Sequence, residues 1–174
     1  SARTIALWFK TSSIAQPMVS YGGGGAGTYF KMSAHGPGEA LLTLGGGITI
    51  AAGSGLNDGL WHHFAVTIPD NGTSGDIVLY VDGVGTNGSG TTLINTSASG
   101  DVELGTVGSW YFTGQLDDVR FYDSALSASE VSALAAAAGA PEPAETFAFL
   151  GLLTAAGLGF REWRSRRKAQ AACV

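Results

Sequence analysis

The chain has 174 residues, a formal net charge of −5, 45% hydrophobic residues against only 13% charged ones, and a single cysteine, Cys173. An intrachain disulfide is therefore impossible, and the fold must rest on a buried core. Residues 1–140 carry four basic residues (Arg3, Lys10, Lys31, Arg120) against eleven acidic ones, a net of −7, whereas residues 141–174 carry five against three, a net of +2; an acidic body with no basic stripe argues against a nucleic-acid partner.

In chain order, short apolar segments recur between glycine-rich turns: Thr4 to Lys10, Met18 to Tyr21, Thr28 to Ser33, Ala40 to Leu44, Ile48 to Ala51, His62 to Ile68, Asp76 to Val81, Val102 to Leu104 and Leu116 to Tyr122. Many short strands at this spacing predict an all-β sandwich. Ile5, Leu7 and Phe9 share one parity, as do His62, Phe64, Val66 and Ile68, and Ile77, Leu79 and Val81. Each set offers one face to a core. The glycine runs Gly22 to Gly25 and Gly45 to Gly47 are read as turns, because neither opens a helix after a strand and no Lys-Ser or Lys-Thr follows.

After Tyr122 the period changes. Ser127 followed by Glu130 is a capping box, with Leu126 and Val131 placed for a hydrophobic staple, so a short helix is expected until Gly139 and Pro141 end it. The domain boundary falls near Ala140. Beyond it come three blocks: Pro141-Glu142-Pro143, an uncharged run from Thr146 to Phe160 that includes Phe147, Leu150, Leu153, Leu158 and Phe160, and a basic cluster of Arg161, Arg164, Arg166, Arg167 and Lys168. Fifteen helical residues rise about 22 Å against a hydrocarbon core of about 30 Å, so the run is a short membrane segment whose insertion is marginal. The arginines keep the basic end in the cytoplasm.

Those three blocks, in that order, closely resemble the PEP-CTERM sorting tail of exported bacterial proteins. The resemblance implies transient anchoring in the bacterial inner membrane, processing by an exosortase near Pro141 to Pro143, and a signal sequence upstream. Final residence at the cell surface or in the extracellular matrix of a Gram-negative-type bacterium is implied with it.

The body carries a second resemblance. Trp61-His62-His63-Phe64-Ala65-Val66-Thr67, followed by Ile77-Val78-Leu79-Tyr80-Val81-Asp82-Gly83, looks like the central hairpin of the laminin-G-like, concanavalin-A-like jelly rolls. Phe112-Thr113-Gly114-Gln115-Leu116-Asp117-Asp118-Val119-Arg120-Phe121-Tyr122 is similar to their closing strand. The chain is thus expected to hold a jelly-roll domain over residues 1–140 and a sorting tail over 141–174. Such domains usually begin with a strand that pairs beside the closing one, so this chain is expected to open at the second strand and leave an edge bare.

Chemistry-bearing residues are few. His62 and His63 are adjacent, so they point to opposite faces of a strand and do not share a metal. Asp101 and Glu103 fall on one face of the predicted Val102 to Leu104 strand, and this fold also houses glycoside hydrolases with strand-borne carboxylate pairs. Those enzymes generally carry a third acid in a tight alternating motif and a groove rich in aromatics, which this pair lacks. Related jelly rolls often hold calcium at the sandwich rim. Asp117 and Asp118 are the candidate ligands, with Asp58, Asp70 and Asn71 as further ones. For Asp118 the alternative is an ion pair with Arg120, two positions along. Rim aromatics Tyr29, Trp110 and Tyr111 are candidate contacts for a sugar or a protein. The expectation is a non-enzymatic exported module that holds glycan or extracellular protein, with an inert surface-layer component as the alternative and a glycoside hydrolase as the weakest reading.

Overall fold

Alternation of apolar residues decides which side of each strand is buried, and the computed structural model shows the result over residues 1–14, 16–23, 27–96 and 101–137. The chain divides into two units, Ser1–Pro141 and Glu142–Val174, and the description that follows is of the first. The expected motif Pro141, Glu142 and Pro143, the apolar run and the basic cluster lie outside the described residues. Among the described residues no helix is long and apolar enough to cross a membrane.

Twelve strands and one helix are described: β1 (Arg3–Lys10), β2 (Gln16–Gly22), β3 (Tyr29–His35), β4 (Glu39–Leu44), β5 (Ile48–Ala52), β6 (Trp61–Ile68), β7 (Val78–Val81), β8 (Val84–Asn87), β9 (Glu103–Leu104), β10 (Thr106–Val107), β11 (Trp110–Tyr111), β12 (Gln115–Tyr122) and α1 (Ala128–Ala137). They form two five-stranded antiparallel sheets, ordered β12-β1-β6-β7-β8 and β5-β4-β3-β2-β9, with β10 and β11 pairing as a separate ribbon. The sheets are called here the β1 sheet and the β3 sheet.

Between the sheets lies one core. Ile5, Leu7 and Phe9 of β1, Phe64, Val66 and Ile68 of β6, and Leu79 and Val81 of β7 meet Val19, Phe30, Met32, Leu42, Leu44 and Ile50 from the β3 sheet. Phe9, Phe30 and Phe64 are fully buried, and Tyr21 stacks on Phe30 with ring centroids 4.7 Å apart. Burying one such side chain contributes about 1.5–3 kcal/mol, which makes this the main source of stability.

The β7–β8 hairpin turns through Asp82 (φ 50°) and Gly83 (φ 81°) while Val81 pairs with Val84. Two consecutive positive φ values define a type I′ turn, whose twist matches that of the strands it joins. The Asp82 side chain adds a second constraint. One carboxylate oxygen accepts from the His63 backbone N–H at 2.8 Å, and the other lies 2.8 Å from His62 Nδ1.

α1 follows the closing strand as expected from its capping box. Ser127 N–H donates to Glu130 Oε2 at 2.7 Å, and Glu130 N–H donates to Ser127 Oγ at 3.3 Å. Val131 is fully buried against Ala6, Ala65 and Tyr80, with Leu126 and Leu134 packed beside it. The helix therefore closes the outer face of the β1 sheet.

β1 pairs along one edge of the closing strand β12. Among the described residues it is the outer edge of β12 that has no neighbour.

Candidate functional site

On β3 the inward residues Phe30, Met32 and Ala34 alternate with outward Tyr29, Lys31, Ser33 and His35. Register extends that outward row across the sheet: Glu103 of β9 neighbours Ser20 of β2, Ser20 neighbours Lys31, Lys31 neighbours Thr43 of β4, and Thr43 neighbours Thr49 of β5. Most of this surface is polar. A bulge in β2 between Pro17 and Val19 places Pro17 beside Ser33, so a rigid apolar patch interrupts the polar floor.

Over this floor stands the β10–β11 ribbon. It is tied to β2 by the Gly105 N–H, which donates to the Met18 carbonyl at 2.8 Å, and its Val107 pairs with Trp110. Together Pro17, Lys31, Ser33, His35, Val107 and Trp110 enclose a cavity of about 370 Å³. Trp110 is 64% exposed, which leaves most of a large apolar ring without protein contact at a mostly apolar hollow that also holds Lys31, Ser33 and His35. Such a ring stacks on the C–H face of a sugar or on an apolar side chain.

Tyr29 lies on the same outward row, partly buried, and burial followed by the nearby Glu103 carboxylate pushes its phenol pKa upward. It is a neutral hydroxyl, able to donate as well as accept. Tyr111 is 69% exposed, but it follows Trp110 directly in an extended ribbon and therefore points to the other side. Of the three aromatics only Trp110 lines the cavity; Tyr29 and Tyr111 do not. Lys31, Ser33, His35 and Pro17 were not singled out from sequence. The outward parity shared by Lys31, Ser33 and His35 was the available signal.

The other candidates are engaged elsewhere. Asp118 has φ 48° at an irregularity of the β1–β12 register, its N–H donates to Asp117 Oδ1 at 2.7 Å, and its own Oδ1 accepts from Arg120 Nε at 2.6 Å. The ion pair expected as the alternative is present. A guanidinium beside Asp118 opposes a calcium ion there, and among the described residues no cluster of three or more His, Cys, Asp or Glu side chains is arranged to hold a metal. Asp58 lies 3.2 Å from His62 Nε2, and Asp70 pairs with the N-terminal amine at 3.5 Å and with Asn71. Asp101 lies outside β9, so it and Glu103 do not form the same-face strand pair that was expected; Glu103 instead accepts from Ser20 Oγ at 3.2 Å.

The two histidines separate as their adjacency requires. His62 sits 5.8 Å from Phe9 by ring centroids and His63 5.4 Å from Trp8. Burial opposes the charged form of His62, but Asp82 and Asp58 outweigh it and raise its pKa above the usual value. Burial dominates at His63 and lowers its pKa. A second hollow, bounded by Trp8, Trp61, Asp82, Gly83, Val84 and α1 residues Ser132, Ala135 and Ala136, has as its one ionisable group a carboxylate already committed to both histidines.

Comparison with known proteins agrees with this architecture. Residues 1–132 match the family model described as the concanavalin A-like lectin/glucanases superfamily. No curated protein matches the chain. Among solved structures, the chain is similar to domain 4 of AbnA, a GH43 extracellular arabinanase from Geobacillus stearothermophilus solved with arabinotriose, at TM-score 0.58 and 22% identity over 76% of this chain and 66% of that one. It is also similar to the CBM40 of a Ruminococcus gnavus IT-sialidase (TM-score 0.59, 19% identity, 77% of this chain and 82% of that one). The LG4-5 domains of the mouse laminin alpha1 chain match at TM-score 0.55 and 20% identity, over 74% of this chain and 37% of that one. At these identities the likeness is one of fold, and the chain spans less than two-thirds of the arabinanase domain and of the laminin pair.

Proposed function

The chain belongs to the concanavalin A-like lectin/glucanases superfamily, and from that premise we propose that it is a non-enzymatic binding module which takes a glycan or an extracellular protein on the outer face of the β3 sheet. The observation that carries this reading is Trp110, mostly exposed beside a cavity that also holds Lys31, Ser33 and His35. A folding role for that ring would bury it. Support also comes from the company of the fold: a putative carbohydrate binding protein from Bacteroides ovatus (TM-score 0.60, 16% identity) and the CBM40 domain share the sandwich. Fold alone does not transfer a ligand, so the argument rests on the site.

Routing forms the second part of the proposal. The order of Pro141-Glu142-Pro143, the apolar run and the arginine cluster supports export, anchoring in the inner membrane and processing by an exosortase-type protease, with delivery to the cell surface or matrix. The module then meets its ligand outside the cytoplasm.

A glycan array probed with the full chain and with Trp110→Ala tests the binding reading. Selective spots that fade by about 30-fold or more in the variant, the scale of an aromatic hot spot, support it. Blank spots together with self-association mark an inert scaffold instead, and turnover of a bound oligosaccharide would replace the module by a hydrolase.

A further inference from the structure

We infer that the ligand held beneath Trp110 is a sugar carrying a negative charge, a carboxylate or a sulfate, and that Lys31 is its counter-ion. This rests on the binding reading above and names the ligand class of the same site. The starting point is where the few cations of the acidic body go. Arg3 is engaged by Tyr21 Oη at 3.1 Å, by the Ser1 carbonyl at 2.9 Å and by Thr96, and Arg120 by Asp118. Lys10 lines a separate hollow with Thr11, Ser12 and Gln115.

Lys31 is different. It is half-buried in the cavity floor, and among the described residues no carboxylate approaches its ammonium within 4.0 Å. A cation held partly out of water gives up hydration without recovering it from a partner, which leaves an ion pair half made. The nearest acid on its row, Glu103, lies across Ser20, two strand spacings or about 10 Å along the sheet, and is bonded to Ser20. Glu39 neighbours His35 in the register but does not line the cavity. The walls thus present one ammonium, one imidazole, one hydroxyl and no carboxylate.

Ligand chemistry follows from that set. Lys31 supplies a charge-assisted hydrogen bond to an anionic oxygen, and the exposed His35 ring offers a second donor at the rim. Pro17, Val107 and Trp110 supply apolar contact, which free phosphate or a chloride ion would not use. An anion attached to a ring with a C–H face uses both halves of the cavity. The hollow at Lys10 has no aromatic ring in its lining, so the preference for a charged sugar belongs to Lys31.

The test is an array of matched glycans, each printed neutral, carboxylated and sulfated, and probed with the full chain, Lys31→Met, Lys31→Arg and Trp110→Ala. The expected result is stronger binding to the anionic members, lost by about 10- to 100-fold in Lys31→Met, the range for a hydrogen bond to a charged group, and largely kept in Lys31→Arg. The stronger of the carboxylate and sulfate arms then identifies the source of the charge. Equal binding of neutral and anionic members, or Lys31→Met indistinguishable from the wild type, overturns the inference while a Trp110-dependent signal keeps the site. A wholly blank array overturns the inference and removes the glycan reading with it.

Discussion

On the outer side of the β1 sheet, Ala6, Trp8, His63, Ala65 and Tyr80 are all buried, with α1 packed through Val131 on Ala6, Ala65 and Tyr80. On the outer side of the β3 sheet, Lys31 and Tyr29 are only half covered, while His35, Thr49 and Ala51 face solvent. Inner faces of the two sheets are treated alike, so the contrast lies outside the common core. A covered face adds a second apolar layer and serves stability. An open face has room for something that is not part of the chain, and Trp110 stands over that one.

Truncating the covered face should have the largest effect. Trp8→Ala is expected to cost about 3–5 kcal/mol in urea unfolding, the range for loss of a buried aromatic; a cost below about 1 kcal/mol would show that the layer under α1 is not a second core. Ser127→Ala, which removes the N-cap that seats α1, should cost about 1 kcal/mol, with the change seen in both helix content and unfolding midpoint. Trp110→Ala should shift stability by less than about 0.5 kcal/mol while abolishing selective binding. Similar destabilisation by Trp8→Ala and Trp110→Ala would erase the distinction between the faces.

The neighbouring histidines sharpen the same comparison through pH. His63, under the covered face, has a folded pKa depressed by burial; its contribution is therefore present above the unfolded value of about 6.5 and lost as pH falls through the folded value. His62, held by Asp82 and Asp58, has a raised folded pKa. Its contribution is complete below about 6.5 and lost as pH rises through the folded value. Unfolding of His62→Gln and His63→Gln across pH 5 to 8 should give differences from wild type of opposite slope. Parallel profiles would mean that His63 is not held in a dry environment.

Much of the architecture was legible because core strands write their burial into alternation. Ile5, Leu7 and Phe9 are all inward, and the boundaries of β1, β4 and β6 shift by a single residue at most. β8 left no such trace. Val84, Gly85, Thr86 and Asn87 are all exposed, and they form a strand because the Asp82-Gly83 turn folds them back on β7. The β10–β11 ribbon was also hidden, since two-residue strands have no period to read. Burial of Trp8 and His63 on the outer face was signalled only by the unbroken apolar stretch Ile5 to Phe9, the mark of a strand covered on both sides.

The site was legible in part. Trp110 stood out as an aromatic, but the cavity it shares with Lys31, Ser33 and His35 depends on a ribbon more than seventy positions downstream being laid over β2 and β3. No local pattern encodes that juxtaposition. The Asp118 to Arg120 ion pair was legible as two residues of one parity on the closing strand.

The ribbon is joined to the sandwich through the backbone bond from Gly105 to Met18, and both residues of β11 are solvent-facing. The side chains of β11 are thus largely uncoupled from folding, so drift at Trp110 and Tyr111 can retune what the protein captures while the scaffold keeps its melting behaviour. Variation concentrated in this short flap, among copies of the same scaffold, would be the evolutionary signature of a surface repertoire.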